Sequence, residues 1–201
     1  MLKNAARWIP VVLACSVLVA CGKEKRMADS AIKAAETTVA SAGEDVGVYA
    51  ADQWKQITDS LAAAKESFAK GDYKAALASV ADIGPKVQEA QGAASTKKTE
   101  LENAWNELAA GLPKMLDAVK SRADILSASR KLPAGMDKAK LEGVTTGLAS
   151  ATQTWNEASE AFKAGNLTDA VSKGNSVKDS ATKLMQDLGM SLPAAAGGAV
   201  Q

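Results

Sequence analysis

The sequence predicts an all-α protein. From Met27 to Leu188 the apolar residues recur at alternating spacings of three and four, which is typical of helices that pack along a narrow seam. Hydrophobic residues make up 47% of the chain but aromatic residues only 4%; much of the remainder is alanine, which favours closely spaced helices. No segment alternates β-branched and aromatic residues between turn residues, as a strand would. We expect an elongated antiparallel bundle of about six helices, with two related hairpins (about 50–95 and 137–188) joined by a long kinked helix.

The charge and composition disfavour several classes of function. The formal net charge is +1, with acids and bases interspersed, which gives no electrostatic footprint for nucleic acid. The chain contains no histidine, the commonest general base and metal ligand. Phosphate-binding glycine loops, EF-hand ladders, nucleophile elbows and Cys pairs do not occur. We expect no enzymatic activity, no catalytic residues, no metal and no cofactor. A glycosidase whose two carboxylates come from distant segments is a disfavoured alternative.

Residues 1–20 are predicted to be a secretory signal. Lys3 and Arg7 form a basic start, and the apolar segment that follows is too short to be interpreted as a spanning helix. Its end, Leu18-Val19-Ala20-Cys21-Gly22, resembles the lipobox of bacterial lipoproteins. The resemblance implies cleavage between Ala20 and Cys21, diacylation of the Cys21 thiol and acylation of the new amino terminus. Cys15 is a weaker candidate, because it would leave only a short apolar segment before it.

The lipobox implies a location. By analogy with the family, Gly22 after the lipidated cysteine implies sorting to the outer membrane, facing the periplasm. Lys23 and Glu24 could modify that rule, so retention in the inner membrane is the alternative. The mature chain would hold one cysteine, occupied by lipid, and therefore no intramolecular disulfide. Residues 21–26 form a short tether. Lys25 and Arg26, with Lys23, would face lipid headgroups; a solvated polar segment is the alternative.

The helical body is predicted over 27–188, and its first half contains three helices. The apolar residues of the first helix are Ala28, Ile32, Ala35, Val39 and Ala42. Gly43 ends this helix, and a loop follows over 43–49. The second helix carries the seam from Trp54 to Phe68 and ends at Gly71. Asp72 is the predicted N-cap of the third helix, whose seam keeps its phase across Pro85, which indicates a kink there.

The second half begins with a predicted turn. Lys97 and Lys98 suit a helix C-terminus, and Thr99 with Glu102 matches a capping box, so we expect a turn here and not one continuous helix. The fourth helix carries Leu101, Trp105, Leu108, Leu112, Met115, Val119 and Leu126, with a kink near Gly111 and Pro113.

Two further helices complete the body. A break over 129–137 ends at Asp137, the predicted cap of the fifth helix, whose seam runs from Leu141 to Phe162. Gly165-Asn166 turns the chain into a sixth helix that ends near Leu188. Residues 189–201 are low in complexity and are expected to be disordered.

The two hairpins share one register. Adding 94 to each seam position between Trp54 and Ala94 gives a seam position between Leu148 and Leu188, with Phe, Gly and Asp or Asn matched at the turn. A shared spacing is common among helices, but a phase shared across a turn is not. We therefore infer two related hairpins.

The first third of the mature chain resembles a short uncharacterised helical domain of bacterial envelope lipoproteins. The resemblance covers about 27–91 and is carried by an Ala-rich first helix, by Tyr49-Ala50, and by a helix that ends in Gly71-Asp72-Tyr73. Ala51 stands where members of the family commonly have proline, and no OmpA-like domain follows. The resemblance implies a location and a fold class but no activity. The motif "GDYKAAL" also resembles a tetratricopeptide repeat, although that repeat has a period of 34 residues.

Aromatic and small residues give further structural predictions. Trp54, Trp105 and Trp155 fall on seam positions, which favours core packing over sugar-stacking platforms. Tyr49 lies outside the pattern and is expected to be the exposed aromatic. Gly143-x-x-x-Gly147 indicates either a helix that another helix approaches closely or a loosely wound surface face.

The sequence thus favours a lipid-anchored, non-enzymatic structural or protein-interaction module in the periplasm. The alternatives are a carrier or sensor that binds an apolar ligand between helices, and a tetratricopeptide-like peptide-binding module. The expected partners are the membrane, through the acyl chains on Cys21, and an envelope protein that the sequence does not identify. Ligand-binding residues and oligomeric state stay open, because heptad seams can also be satisfied between chains.

Overall fold

The computed structural model describes the backbone of residues 9–191 and the side chains of residues 22–191. The predicted signal start (1–8) and most of the predicted tail (192–201) lie outside the described residues. Helices make up most of the described chain, which contains no strand. The helices are α1 (Ile9–Ala40), α2 (Glu44–Tyr49), α3 (Ala51–Ala69), α4 (Tyr73–Val80), α5 (Ile83–Ala128), α6 (Lys138–Lys163) and α7 (Leu167–Asp187). The all-α prediction, with two hairpins and a long bent helix over 73–128, is confirmed.

The chain divides into two compact units. Unit 1 is Met1–Lys97 and unit 2 is Lys98–Gln201. In unit 1, α1 packs on the hairpin formed by α3 and α4, and the first part of α5 joins the same core. In unit 2, α6 and α7 form a hairpin that packs with the second part of α5. Each unit is therefore built around one antiparallel hairpin.

The core of unit 1 is rich in alanine. Its buried residues are Ala28, Ile32, Ala35, Ala42, Val46, Ala50, Ile57, Ala64, Ala76, Val80, Ile83, Val87, Ala90 and Ala94. Because alanine side chains are short, the helix axes approach closely and each contact buries little apolar area.

The core of unit 2 uses larger side chains on α5. Leu101, Trp105, Leu108, Leu112 and Val119 are buried, as the sequence predicts. Leu116 and Ala123 are also buried although the predicted seam omits them, and Met115 is only half-buried. The difference arises because α5 meets two helices in this unit, so its apolar surface is wider than a single seam.

The two hairpins bury equivalent positions. Every residue that is buried on α3, α4 or the start of α5 has a buried partner 94 residues later. The pairs are Ile57 and Ala151, Ala64 and Ala158, Ala76 and Ala170, Val80 and Gly174, Ile83 and Val177, Val87 and Ala181, Ala90 and Leu184, and Ala94 and Leu188. The predicted common register is confirmed.

The turns of the two hairpins also match. Gly71 and Gly165 have φ angles of 82° and 81°, in the left-handed region that glycine adopts at little cost. The amide of Asp72 donates to the carbonyl of Ser67 at 3.0 Å, and the amide of Asn166 donates to that of Ala161 at 2.9 Å. Each turn is thus a glycine-terminated helix end followed at once by the cap of the next helix.

The turn predicted near Lys97 and Lys98 is wrong, because α5 is continuous from Ile83 to Ala128. Thr99 lies inside this helix and is therefore not an N-cap. The helix continues because Ala94 and Leu101 are both buried, seven residues apart, so the apolar seam keeps its phase through the polar segment.

The kink predicted at Pro85 is displaced. The helix is interrupted at Ala81 and Asp82, between α4 and α5, and Pro85 lies in the first turn of α5. Proline has no amide proton, so the carbonyl of Ala81, four residues earlier, loses its helical hydrogen bond. The next bond, from the amide of Lys86 to the carbonyl of Asp82, is formed at 3.0 Å.

The loop predicted after Gly43 contains a short helix. Gly43, with φ of 86°, ends the turn that follows α1, so the helix stops there as predicted. Residues Glu44–Tyr49 then form α2. Val46 is only 1% exposed, and its burial against the core of unit 1 accounts for this extra turn of helix.

Candidate functional site

The predicted lipidation sequence lies within α1. Ala20 and Cys21 are helical in backbone, and their side chains lie outside the described part of the chain. Ala28 is the first buried residue of the core, seven positions after Cys21. At about 1.5 Å per helical residue, that separation is about 10 Å along the axis, half the reach of an extended tether. A lipid on Cys21 would therefore attach very near the folded core of unit 1.

Most of the residues that directly follow Cys21 are solvent-exposed, and Glu24 is half-buried. Lys23, Lys25, Arg26 and Met27 are all exposed, and Met27 retains 61% of its accessible surface. The Arg26 Nε donates to the Gly22 carbonyl at 3.4 Å, within the first turns of the helix. Over the part of the chain that the structure describes, no helix is both long and apolar enough to cross a bilayer.

A surface groove of about 470 Å³ follows α6 and α7 within unit 2. Its floor is apolar and contains Val144, Ala151, Val177 and Leu184, and its walls carry the hydroxyl groups of serine and threonine. The Thr154 hydroxyl donates to the carbonyl of Ser150 at 3.1 Å, and that of Ser180 donates to the carbonyl of Ser176 at 2.9 Å. Because these protons are used within the helices, the hydroxyl oxygens face the groove mainly as acceptors.

One end of the groove carries charge. Lys140, Lys183 and Asp187 line it, and the antiparallel course of α6 and α7 brings the start of one helix to the end of the other. Neither ammonium group lies within salt-bridge distance of a carboxylate in the described side chains. The groove is therefore apolar at its floor and cationic at one end.

Short side chains keep this groove open. Gly147, Ser150 and Ser180 line it, and the residues 94 positions earlier in unit 1 are Gln53, Gln56 and Lys86. Two of these longer residues, Gln53 and Lys86, are half-buried in unit 1. Unit 2 therefore has short residues at three positions where unit 1 has long side chains.

The two glycines of the Gly143-x-x-x-Gly147 motif have different environments. A Cβ built on Gly147 would lie 2.9 Å from Cδ2 of Leu184, whereas one built on Gly143 would have no atom within 4 Å. The close-approach interpretation holds for Gly147, where α7 packs against the α6 backbone. The open-surface interpretation holds for Gly143, at the groove.

A second groove, of about 520 Å³, lies on the other side of the N-terminal part of α6. Leu126, Leu132 and Leu141 line it, together with hydroxyl groups that include those of Thr145 and Thr146. The sequence predicts only a break in this region, because a groove formed by a loop and two helix ends has no periodic signal.

The tryptophans pack in the cores, as predicted. Trp105 is 6% exposed and stacks on Trp155, with ring centroids 5.1 Å apart, and on Phe162, at 4.7 Å; both pairs are within 11° of parallel. Trp54 is half-buried against the core of unit 1. The faces of Trp105 are covered by protein rings, so they are not available to stack on a sugar.

The prediction that Tyr49 is an exposed aromatic is wrong. Tyr49 is the last residue of α2 and packs, half-buried, against the core of unit 1. The pattern missed it because α2 and α3 meet at Ala50, whose φ of −131° breaks the helical periodicity.

The charged groups form a solvated surface. Lys55 pairs with Asp59 at 2.6 Å, and Lys65 pairs with Glu36 at 2.6 Å, which links α3 to α1. The hydrogen bond from Lys70 lowers the pKa of Glu66, and the corresponding bonds to Asp29, Asp124 and Asp169 raise the pKa of Lys33, Lys120 and Lys173. Each of these bonds stabilises the charged form of its group, which is exposed except in the half-buried Lys173.

No cluster of metal-ligating residues occurs among the described side chains. Every buried side chain in this part of the protein is hydrophobic. The two grooves are candidate functional features that the sequence analysis missed, and the two spaced glycines on α6 were the signal for the first of them. No protein-family model matches the chain, and no curated protein or solved structure is significantly similar to it.

Proposed function

We propose that this protein is a lipid-anchored, non-enzymatic module of the bacterial envelope that presents its helical units in the periplasm at the outer membrane. One observation carries the proposal: the lipobox-like Leu18-Val19-Ala20-Cys21-Gly22 places Cys21 seven residues before Ala28, the first buried residue of the core. The acyl chains implied by this motif give durable attachment, because each buried methylene contributes about 0.8 kcal/mol. The short spacing then holds unit 1 at the bilayer surface.

The surface chemistry supports a structural or interaction role. General acid–base catalysis needs a group whose pKa lies near the operating pH, which burial usually provides. The groups with shifted pKa values here, such as Glu66 and Lys120, are exposed ion-pair partners whose pKa values are shifted away from neutrality. They stabilise a solvated surface and are suited to contacts with other macromolecules.

Metabolic labelling with radioactive palmitate tests the anchor. The wild-type chain should incorporate label and partition with membranes, and Cys21→Ser should abolish both. Cys15→Ser is the matched control and should leave both unchanged, because the lipobox assigns the lipid to Cys21. Labelling that persists in Cys21→Ser, or membrane partition that Cys21→Ser does not alter, would contradict the proposal.

Crosslinking tests the interaction role. A photoreactive residue at an exposed groove position, Ser180, and one at an exposed position of α7 outside the groove, Ser172, are introduced separately into the anchored protein. An interaction module should give a discrete crosslinked envelope component from at least one position in living cells. Protein that stays uncrosslinked at all such surface positions would argue for a purely structural role.

A second candidate function is supported by the groove on α6 and α7. Its apolar floor and its cationic end fit an elongated apolar molecule with an anionic group, such as a long-chain fatty acid. The unit 1 residues at equivalent positions suggest how to close it: Ser150→Gln with Ser180→Lys. Ser172→Gln with Ser121→Lys is the control, since both serines are exposed outside the groove.

Native mass spectrometry of the delipidated protein, isolated from the cell envelope, and titration with a long-chain fatty acid test this second function. The wild-type chain and the control should bind the acid, and the filled variant should not. A wild-type protein that is isolated empty and does not bind the acid would exclude it.

A further inference from the structure

The first turns of α1 carry an exposed surface that differs from the rest of unit 1. Lys23, Arg26 and Met27 stand at positions i, i+3 and i+4, so they share one side of the helix. Ala28 and Ile32, on the opposite side, are buried in the core of unit 1. The exposed surface formed by Lys23, Lys25, Arg26 and Met27 is called the basic face below. Lys23, Arg26 and Met27 point away from the core, and Lys25 extends the cationic surface around the same turn of the helix.

The charge of unit 1 is divided between this face and the remainder. Residues 22–26 contain three cations and one carboxylate, and residues 27–97 contain seven lysines and ten Asp or Glu residues. The segment next to Cys21 is thus net positive, whereas the rest of the unit is net negative. An anionic surface attracts the first part and repels the second, which favours one orientation of the unit.

Met27 adds an apolar contact to the basic face. It retains 61% of its accessible surface, whereas the core-facing residues of the same helix are buried. An unbranched apolar side chain flanked by long cations suits the boundary between headgroups and acyl chains, because the cationic heads can stay in water while the stems and the thioether lie lower.

We propose that the basic face lies on the anionic phospholipid headgroups of the membrane that holds the Cys21 lipid, and fixes the orientation of unit 1 on that membrane. This inference rests on the proposed function, since the lipid brings the face to the surface. The binding partner of the basic face is a phospholipid bilayer, because its cations complement anionic headgroups and because it lies beside the lipid on Cys21. The face adds a contact that the acyl chains alone do not provide.

The test uses the mature-length chain from residue 21 with Cys21→Ser, so that protein contacts are measured without acyl chains. Binding is measured by co-sedimentation with phosphatidylcholine vesicles, with and without phosphatidylglycerol. We expect binding only with phosphatidylglycerol, and its loss at about 1 M salt, where the Debye length falls to about 3 Å. The variant Lys23→Gln/Lys25→Gln/Arg26→Gln should reduce the affinity about 100-fold, at about fivefold per cation.

A matched variant separates the basic face from net charge. Lys55→Gln/Lys70→Gln/Lys74→Gln removes three exposed lysines elsewhere in unit 1 and changes the net charge equally. It should retain most of the binding. Equal losses in the two triple variants, or binding that does not depend on phosphatidylglycerol, would overturn the inference. Circular dichroism confirms that each variant is folded, and Lys25→Gln/Arg26→Gln, with about a 25-fold loss expected, replaces the triple variant if that one is not.

The outcomes also distinguish the inference from the proposed function. A wild-type chain that incorporates no palmitate at Cys21 would refute the anchor, whatever the vesicle binding shows. Normal labelling together with vesicle binding that is indifferent to the basic face would refute the inference and leave the anchor intact.

Discussion

Asp72 and Asn166 cap two helices 94 residues apart with the same geometry. The Asp72 carboxylate accepts from the amide of Ala75 at 3.0 Å, and the Asn166 side-chain oxygen accepts from the amide of Asp169 at 3.2 Å. Their φ and ψ angles are −84° and 77°, and −84° and 74°. Each follows a left-handed glycine, so the two turns have the same backbone geometry.

Removal of either cap should weaken its own hairpin. We expect Asp72→Ala and Asn166→Ala each to lower the free energy of unfolding by about 1 kcal/mol, because one helical amide loses its side-chain acceptor. Asp72→Asn and Asn166→Asp exchange the two native caps and should change it much less. Urea denaturation measures the differences, and alanine variants as stable as the wild type would show that the caps contribute nothing.

The turn glycines should tolerate no side chain. At Gly71, with φ of 82°, Gly71→Ala should lower the free energy of unfolding by about 1–2 kcal/mol, because a Cβ is strained in the left-handed region. Gly92→Ala is the control, since Gly92 is exposed inside α5 with no atom near a built Cβ. It should raise stability by up to about 1 kcal/mol. Two changes of the same sign in thermal unfolding would contradict this prediction.

Gly174 and Leu108 should be energetically coupled. A Cβ built on Gly174 would lie 2.8 Å from Cδ1 of Leu108, whereas the equivalent residue of unit 1 is Val80. We expect Gly174→Val to cost about 1–3 kcal/mol through overpacking. Gly143→Val, on the open surface of α6, should have little effect.

A double-mutant cycle tests the coupling. Leu108→Ala should remove part of the penalty of Gly174→Val, so that the double variant is more stable than the sum of the single changes predicts. Strict additivity would mean that the two residues adjust independently.

The aromatic stack should contribute strongly to unit 2. Trp105 contacts two rings and is 6% exposed, so Trp105→Ala should cost about 3–5 kcal/mol. Trp155→Phe keeps an aromatic ring in the stack and should cost clearly less. Near-ultraviolet circular dichroism together with urea denaturation measures both effects. A small loss for Trp105→Ala would mean that the core of unit 2 repacks easily.

Stability should be flat around neutral pH and decline at both extremes. The chain has no histidine to titrate near neutrality. The hydrogen bond from Lys70 lowers the pKa of Glu66 from 4.5, so its stabilisation is present above that value and is lost as the pH falls through the lowered pKa. The pKa of Lys33 and of Lys120 is raised from 10.5 by bonded carboxylates, so their stabilisation is lost as the pH rises above that value.

Denaturation across the pH range checks the sign of these effects. Lys70→Gln should remove the acid-side contribution of Glu66, while the alkaline decline persists. The changes should be small, because all of these pairs are exposed. A marked loss of stability near neutral pH would show that an unidentified group controls folding.

The sequence by itself determined the helical fold, the hairpin turns and their common register. Gly71 and Gly165 end helices through their own backbone freedom, and Asp72, Asp137 and Asn166 cap helices through bonds to amides three residues away. These interactions are local, so a linear pattern reveals them.

Tertiary structure decided the features that depend on what packs against a helix. The polar segment around Lys98 stays helical because Ala94 and Leu101, on either side of it, are both buried. Tyr49 packs against the core of unit 1, a contact that the spacing of residues in its own segment does not predict. The groove on α6 exists because side chains from α7 meet short residues there. Burial is a property of distant residues brought together, and spacing along one segment does not contain it.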